Sequence, residues 1–142
     1  MDVVDVNVLL YAVNPDAPSH RNSHRWLQDS LNSPGAIGLT WAALVGFVRL
    51  ATHPTIWPDP MEVGEALDHV DTWLVAPGST VLEPSPRHAV TLRALLEETG
   101  SGANLTTDAH LAAIALDHGA GICSYDNDFD RFDGLRRTTP GG

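Results

Sequence analysis

The 142 residues carry 18 acidic side chains against 8 basic ones, a formal net charge of −10 with a pI near 4.8. That balance argues against a surface that binds nucleic acid by simple electrostatic attraction, but not against an enzyme that meets phosphates through bound cations. All eight basic residues are arginine, and without a lysine the chemistry of P-loop nucleotide hydrolases, Schiff-base enzymes and protein kinases is excluded.

Taken in chain order, "VVDVNVLL" (3–10) reads as a buried strand running into a turn or helix, with Asp5 and Asn7 as its polar interruptions. No basic segment precedes this run, so a cytoplasmic chain with no signal peptide is expected. "NPDAPS" is a loop, after which Ser19 is placed to cap a helix to about Leu31 that turns Trp26 and Leu27 inward. "AIGL" predicts a short strand, and Thr40 opens the apolar helix "WAALVGFVRLAT", which ends before Pro54. Asp59, Pro60, Met61 and Glu62 have the spacing of a capping box ahead of a helix over Val63–Leu74. "TVL" (80–82) predicts a strand, Ser85 and Pro86 open a helix that Gly100 closes, and Thr107 starts another that Gly119 closes. "GICSY" is the next strand and holds the single cysteine, Cys123, expected as a small core residue. A short helix near Phe129 and a last strand, "LRRTT", complete the chain, and no stretch approaches a membrane span.

Strands alternating with helices predict a parallel sheet covered on both faces, in one domain over 1–142. Ligands of such sheets lie beyond the carboxyl ends of the strands, where strand order reverses. Asp5 follows the first strand, Asp126 follows "GICSY", and Asp108 lies in the first turn of the helix leading to that strand. These acids can therefore meet at one edge. Acids converging on a cleft suit a hard divalent cation, and such cations assist phosphodiester hydrolysis. The bland alternative is a helix-start residue at 108 and a turn former at 126. Spacing alone leaves both readings open.

"DVNVLLYA" (5–12), "NLTTDAHLAAIALDHGA" (104–120) and "ICSYDNDFDRF" (122–132) together resemble the signature segments of PIN-domain proteins, and more narrowly of the VapC-like ribonuclease toxins of toxin–antitoxin pairs. The resemblance implies a three-layer α/β/α domain with a central parallel sheet of four to five strands. It implies an endoribonuclease dependent on Mg²⁺ or Mn²⁺, with Asp5, Asp108 and Asp126 as catalytic metal ligands and Asp128 as an accessory ligand. Asn7 and Asn104 are expected to support those acids from behind. A homodimer and a cognate antitoxin with a basic segment are further expectations. One position departs from the family pattern: the usual second acid, a glutamate, falls on Gly46, and no acid lies between Thr40 and His53. Arg49 shares a helix face with Gly46 and is a candidate contact for RNA phosphate or for a carboxylate of the site.

His20 and His24 have the i, i+4 spacing that can bind zinc, but "RNS" between them lacks a metalloprotease glutamate and no third soft ligand is evident. Surface polar residues are the default there. His53 and His110 are expected to flank the cleft, with His110 pointing away from it, and Asp130 to stay solvated. Receiver domains and aspartate-nucleophile phosphatases also gather acids at strand ends, but they use a lysine that this chain lacks. The remaining alternative is a catalytically weak PIN-like domain that serves as a protein- or RNA-binding partner, for which the missing glutamate is the argument.

Overall fold

The computed structural model describes all 142 residues. Five short strands, β1 (Asp2–Val4), β2 (Ile37–Leu39), β3 (Ser79–Val81), β4 (Gly121–Cys123) and β5 (Arg137–Thr138), form one parallel sheet in the order β3-β2-β1-β4-β5. The chain lays strands outward from β1 to β3, then returns across the sheet to place β4 beside β1. Strand order therefore reverses between β1 and β4, and the carboxyl ends of those two strands flank the crevice where parallel sheets bind ligands.

Six helices cover the sheet: α1 (Val6–Val13), α2 (His20–Leu31), α3 (Trp41–Ala51), α4 (Val63–Val75), α5 (His88–Thr99) and α6 (Leu105–Asp117). A short 3-10 helix (Asn127–Arg131) joins β4 to β5. Side chains alternate across the pleat, and the core divides accordingly. Val4, Ile37, Leu39 and Cys123 pack with Leu9, Leu44, Phe47, Val70 and Trp73 beneath α1 to α4. Val3 and Ile122 pack with Leu95, Ala112, Ile114, Phe129 and Phe132 beneath α5 and α6. The result is the expected three-layer α/β/α arrangement. On the second face Gly38 packs closely, since a Cβ there would stand 2.8 Å from Leu82 Cδ1 and 3.3 Å from Val3 Cγ2, and the Leu82 side chain would have to move.

Several helix starts differ from expectation, among them α5, which begins at His88 rather than at Ser85 and Pro86. The capping box at Asp59–Glu62 does not form: α4 begins at Val63 with Glu62 as its N-cap and no side-chain cap bond. The backbone N–H of Met61 donates instead to the Ala51 carbonyl at 2.9 Å, which ties the connection to the end of α3. The helix expected to start at Thr107 begins two residues earlier, at Leu105, because buried Leu105 anchors its first turn in the core. Ser19 is the N-cap position of α2 but makes no cap bond. Thr40 does cap α3, accepting from Ala43 N at 3.2 Å. No helix is long and apolar enough to cross a membrane.

Candidate metal centre

Asp5 is the first residue beyond β1 and also the N-cap of α1. Its Oδ1 accepts from Val6 N at 2.8 Å, and its Oδ2 accepts from Ser124 Oγ at 2.6 Å and from Asn7 Nδ2 at 3.2 Å. Asn7 thus holds Asp5 as the sequence led one to expect, and its Oδ1 accepts from Tyr125 N at 3.4 Å. Ser124, wholly buried, is the residue that sequence reasoning missed. Its hydroxyl donates to Asp5, accepts from Asp126 N at 2.9 Å, and lies 3.3 Å from Asn7 Nδ2. One hydroxyl therefore links the end of β1 to the end of β4 and fixes the direction of both acids.

Asp126 caps the 3-10 helix by accepting from Asp128 N at 2.9 Å. Asp108 projects from the first turn of α6. Carboxylate oxygens of Asp108, Asp126 and Asp128 all lie within 4.8 Å of one another. Asp5 does not belong to this tightest trio but lines a cleft of about 280 Å³ with Asp108, Gly46 and Arg49. The four carboxylates make no ion pair. The two ion pairs of the structure are Arg136 with Asp2 and Arg137 with Asp130.

Burial pushes the Asp108 carboxyl up to about 6, and the charges of Asp126, Asp5 and Asp128 push the same way. Burial likewise raises Asp5 above the usual carboxylate range; the bonds from Ser124 and Val6 oppose that rise, and the Asp126 charge adds to it. Each carboxyl is thus held at a cost that a cation between them would relieve. An all-oxygen donor set of this kind suits a hard divalent ion and suits zinc or copper poorly. The residues present therefore fit Mg²⁺ or Mn²⁺.

Of the other expected contributors, Asn104 is exposed and makes no side-chain bond to any acid, because α6 starts at Leu105 and leaves Asn104 as an exposed N-cap position. Arg49 is exposed on the cleft wall. Gly46 faces the same cleft from the middle of α3, and a Cβ there would meet Val6 Cγ2 at an ordinary 3.5 Å. Room for a side chain exists at the position of the absent glutamate. His110 turns from the acids to His88, with His88 Nε2 and His110 Nδ1 2.8 Å apart. His53 bonds Thr55 within its own loop. Asp130 is not merely solvated: it takes two bonds from the Arg137 guanidinium, at 2.8 and 2.9 Å. That guanidinium also donates to the Ser124 carbonyl at 3.1 Å, which holds β5 against the end of β4.

Known proteins share this arrangement of elements. The PIN domain family model matches residues 3–135. Ribonuclease VapC37 of Mycobacterium tuberculosis is 46% identical over 140 residues, covering 99% of this chain and 97% of the relative. Ribonuclease VapC33 of the same species is 41% identical, covering 99% and 98%. Among solved structures, VapBC2 from Rickettsia felis bound to a DNA fragment of its promoter superposes with a TM-score of 0.67 at 17% identity, over 96% of each chain. FitAB bound to a DNA fragment superposes with a TM-score of 0.70 at 15% identity, over 99% of this chain and 95% of the other. With the fold, the order of the acids and relatives of this identity over nearly their whole length in agreement, the chain belongs to the PIN-domain family, and within it to the VapC-like group.

Proposed function

We propose that this protein is a metal-dependent endoribonuclease that acts in the cytoplasm as the toxin of a toxin–antitoxin pair, its 142 residues working as one domain. The observation that carries the reading is the group of four carboxylates, Asp5, Asp108, Asp126 and Asp128, at the reversal point of the sheet without a basic partner. Two relatives above 40% identity bear the name ribonuclease. Solved neighbours include a toxin–antitoxin complex from Klebsiella pneumoniae.

In this reading Asp108, Asp126 and Asp128 hold Mg²⁺ or Mn²⁺, with Asp5 completing the site from the floor of the cleft. Bound there, the cation supplies the Lewis acidity that hydrolysis of a phosphodiester requires. Ser124 and Asn7 keep Asp5 in one orientation, so that the acid need not be ordered when RNA arrives. Arg49 stands on the wall of the cleft without an ion pair, positioned to receive an RNA phosphate. No side chain is needed as a covalent nucleophile. Unstacked loops are the expected substrates, since the bases of paired RNA are stacked and lie in a groove too deep and narrow for side chains to read.

An apolar face of α3 and α4 adjoins the cleft and carries exposed Trp41, Val45 and Leu67 beside Arg49. It supports the expectation of protein partners, a second copy of the chain and an antitoxin whose basic segment reaches the acids.

The test is incubation of purified protein, free of any partner, with total cellular RNA in Mg²⁺, in Mn²⁺ and in chelator, beside Asp108→Asn protein. Discrete cuts that require metal and vanish in the variant are expected. Arg49→Ala should raise KM for a cut RNA and leave kcat and folding close to the parent. Folded protein that cuts nothing in either metal sinks the enzyme reading and leaves the binding role, for which the absence of an acid at Gly46 is the specific argument.

A further inference from the structure

A second set of metal-ligating side chains gathers at the other end of α1, away from Asp5. The carbonyls of the last helical turn lack intrahelical partners, and two of them are met by α2. His20 Nδ1 lies 2.8 Å from the Tyr11 carbonyl oxygen and His24 Nδ1 lies 3.3 Å from that of Ala12. A carbonyl only accepts, so each Nδ1 carries the ring proton, and in the neutral ring the lone pair is left on Nε2. The two nitrogens of an imidazole point to opposite sides of the ring. With both Nδ1 atoms turned onto consecutive carbonyls of α1, both Nε2 atoms turn away from it.

His20 and His24 line a single cavity of about 410 Å³ between α2 and α4. His69 of α4, stacked on Trp73 with ring centres 5.8 Å apart, adds a third imidazole to the wall. The His20 and His24 ring centres are 5.5 Å apart with 33° between the planes. A tetrahedral ion at ~2.0–2.1 Å from each Nε2 would set the ring centres roughly 5 Å apart, close to what is found. An Nδ1–H bond to a backbone carbonyl is also how metal-bound imidazoles are usually oriented and made more basic.

We propose that His20 and His24 form a two-imidazole clip for a borderline divalent cation of the Zn²⁺ or Ni²⁺ class, separate from the all-oxygen acid cleft. The ligand type divides the two sites: imidazole nitrogen favours Zn²⁺ and Ni²⁺, whereas the carboxylates favour Mg²⁺ and Mn²⁺. Because both ligands are borne by α2, an ion held there clips one turn of that helix and reaches α1 only through the two Nδ1–H bonds to its last carbonyls.

The experiment uses tag-free full-length protein with Zn²⁺ as the probe and millimolar Mg²⁺ present throughout. Long-range ¹H–¹⁵N spectra of the imidazoles should show His20 and His24 as Nδ1–H tautomers before metal, with their Nε2 signals moving on addition of Zn²⁺. Calorimetry should show Zn²⁺ binding that Mg²⁺ does not displace and that Asp108→Asn leaves intact. His24→Gln keeps a donor for the Ala12 carbonyl at an exposed position and so keeps the fold. It should weaken Zn²⁺ binding by more than about tenfold, since even outer-shell changes reach that scale; His20→Gln serves as the second variant. Affinity unchanged in both glutamine variants overturns the proposal, as does an Nε2–H tautomer in the metal-free protein. Loss of Zn²⁺ binding in Asp108→Asn with retention in His24→Gln overturns it too, since the ion would then sit in the acid cleft.

Discussion

Replacing Asp108 by asparagine should make the metal-free protein more stable while it destroys the site. The Asp108 carboxyl stands at about 6 in the fold, against an ordinary 3.8, because it is partly buried among Asp126, Asp5 and Asp128. Taken at face value that rise corresponds to roughly 3 kcal/mol of repulsion and desolvation at neutral pH. Asp108 is only half-buried, and solvent and salt screen such a group, so about 1 kcal/mol is the reasonable expectation. For a chain of this length about 1 kcal/mol moves Tm by roughly 3 °C. The direction with pH follows from a folded-state value above the unfolded one. Below pH 3.8 the acid is protonated in both states and costs nothing; stability falls as pH rises through the window up to about 6 and stays low above it. Asparagine carries no charge and does not share that fall. Scanning calorimetry of both proteins in EDTA between pH 4 and 7.5 should therefore show equal melting near pH 4 and a gap favouring the variant that opens by pH 6. Saturating Mg²⁺ should reverse the order, since at 100-fold excess over Kd a bound ion adds about 2.7 kcal/mol to the parent alone. A variant less stable than the parent in EDTA at pH 7, or a gap that does not change with pH, would show that Asp108 is not under electrostatic strain.

Ser124→Ala removes the hydroxyl that links Asp5 to the Asp126 backbone in a fully buried setting, so it should cost about 1–3 kcal/mol in urea unfolding and weaken Mg²⁺ binding measured by calorimetry. Gly46→Ala should stabilise the protein by about 1 kcal/mol, because a mid-helix glycine is replaced where the new Cβ meets only an ordinary contact. Gly46→Glu should then add a carboxylate to the cleft and tighten Mg²⁺ binding; weaker binding would show that the side chain does not reach the acids. Cys123 is buried and its thiol is pushed up to about 12 by that burial, so a thiol reagent should label it at neutral pH only after unfolding.

Asp5 and Asp126 stood out because each follows an apolar run where a strand must end, and Asp108 because it opens the helix that leads to β4; the alternation of strands and helices implies which ends share an edge. Ser124 did not stand out. It is one small polar residue at the close of "GICS", and its work depends on a partner 119 positions away that only the pairing of β1 with β4 brings near. Asp128 was expected as an accessory, yet its carboxylate falls within the same 4.8 Å as those of Asp108 and Asp126, while Asp5, held by three hydrogen bonds, lies outside that trio. Sequence spacing cannot distinguish a carboxylate turned to its own backbone from one turned to a neighbour. The Asp59–Glu62 box misled for a related reason, since a tertiary bond from Met61 to Ala51 decides how the chain enters α4. With His20 and His24 the spacing was plain, but the ring orientation is set by the two carbonyls of α1, which no local pattern reveals.

The two readings that spacing alone left open, acids that start a helix or a turn and acids that gather for a cation, are compatible. Asp5 begins α1, Asp126 begins the 3-10 helix with Asp128 in its first turn, and Asp108 lies in the first turn of α6, so all four acids stand at the positive end of a helix. A carboxylate in such a place is favoured by about 0.3–1 kcal/mol, and two of these also satisfy a backbone N–H that would otherwise lack a partner. Each acid is thus acceptable to its own segment, which lowers the cost of bringing them together. The helix ends do not cancel the mutual repulsion, as the raised Asp108 and Asp5 carboxyls show. What remains at neutral pH is an anionic cleft whose repulsion a cation can relieve, whether a divalent ion or the basic side chain of a partner. The same unrelieved charge would then drive both activity and its inhibition, because each binds by removing the repulsion that the fold leaves in place.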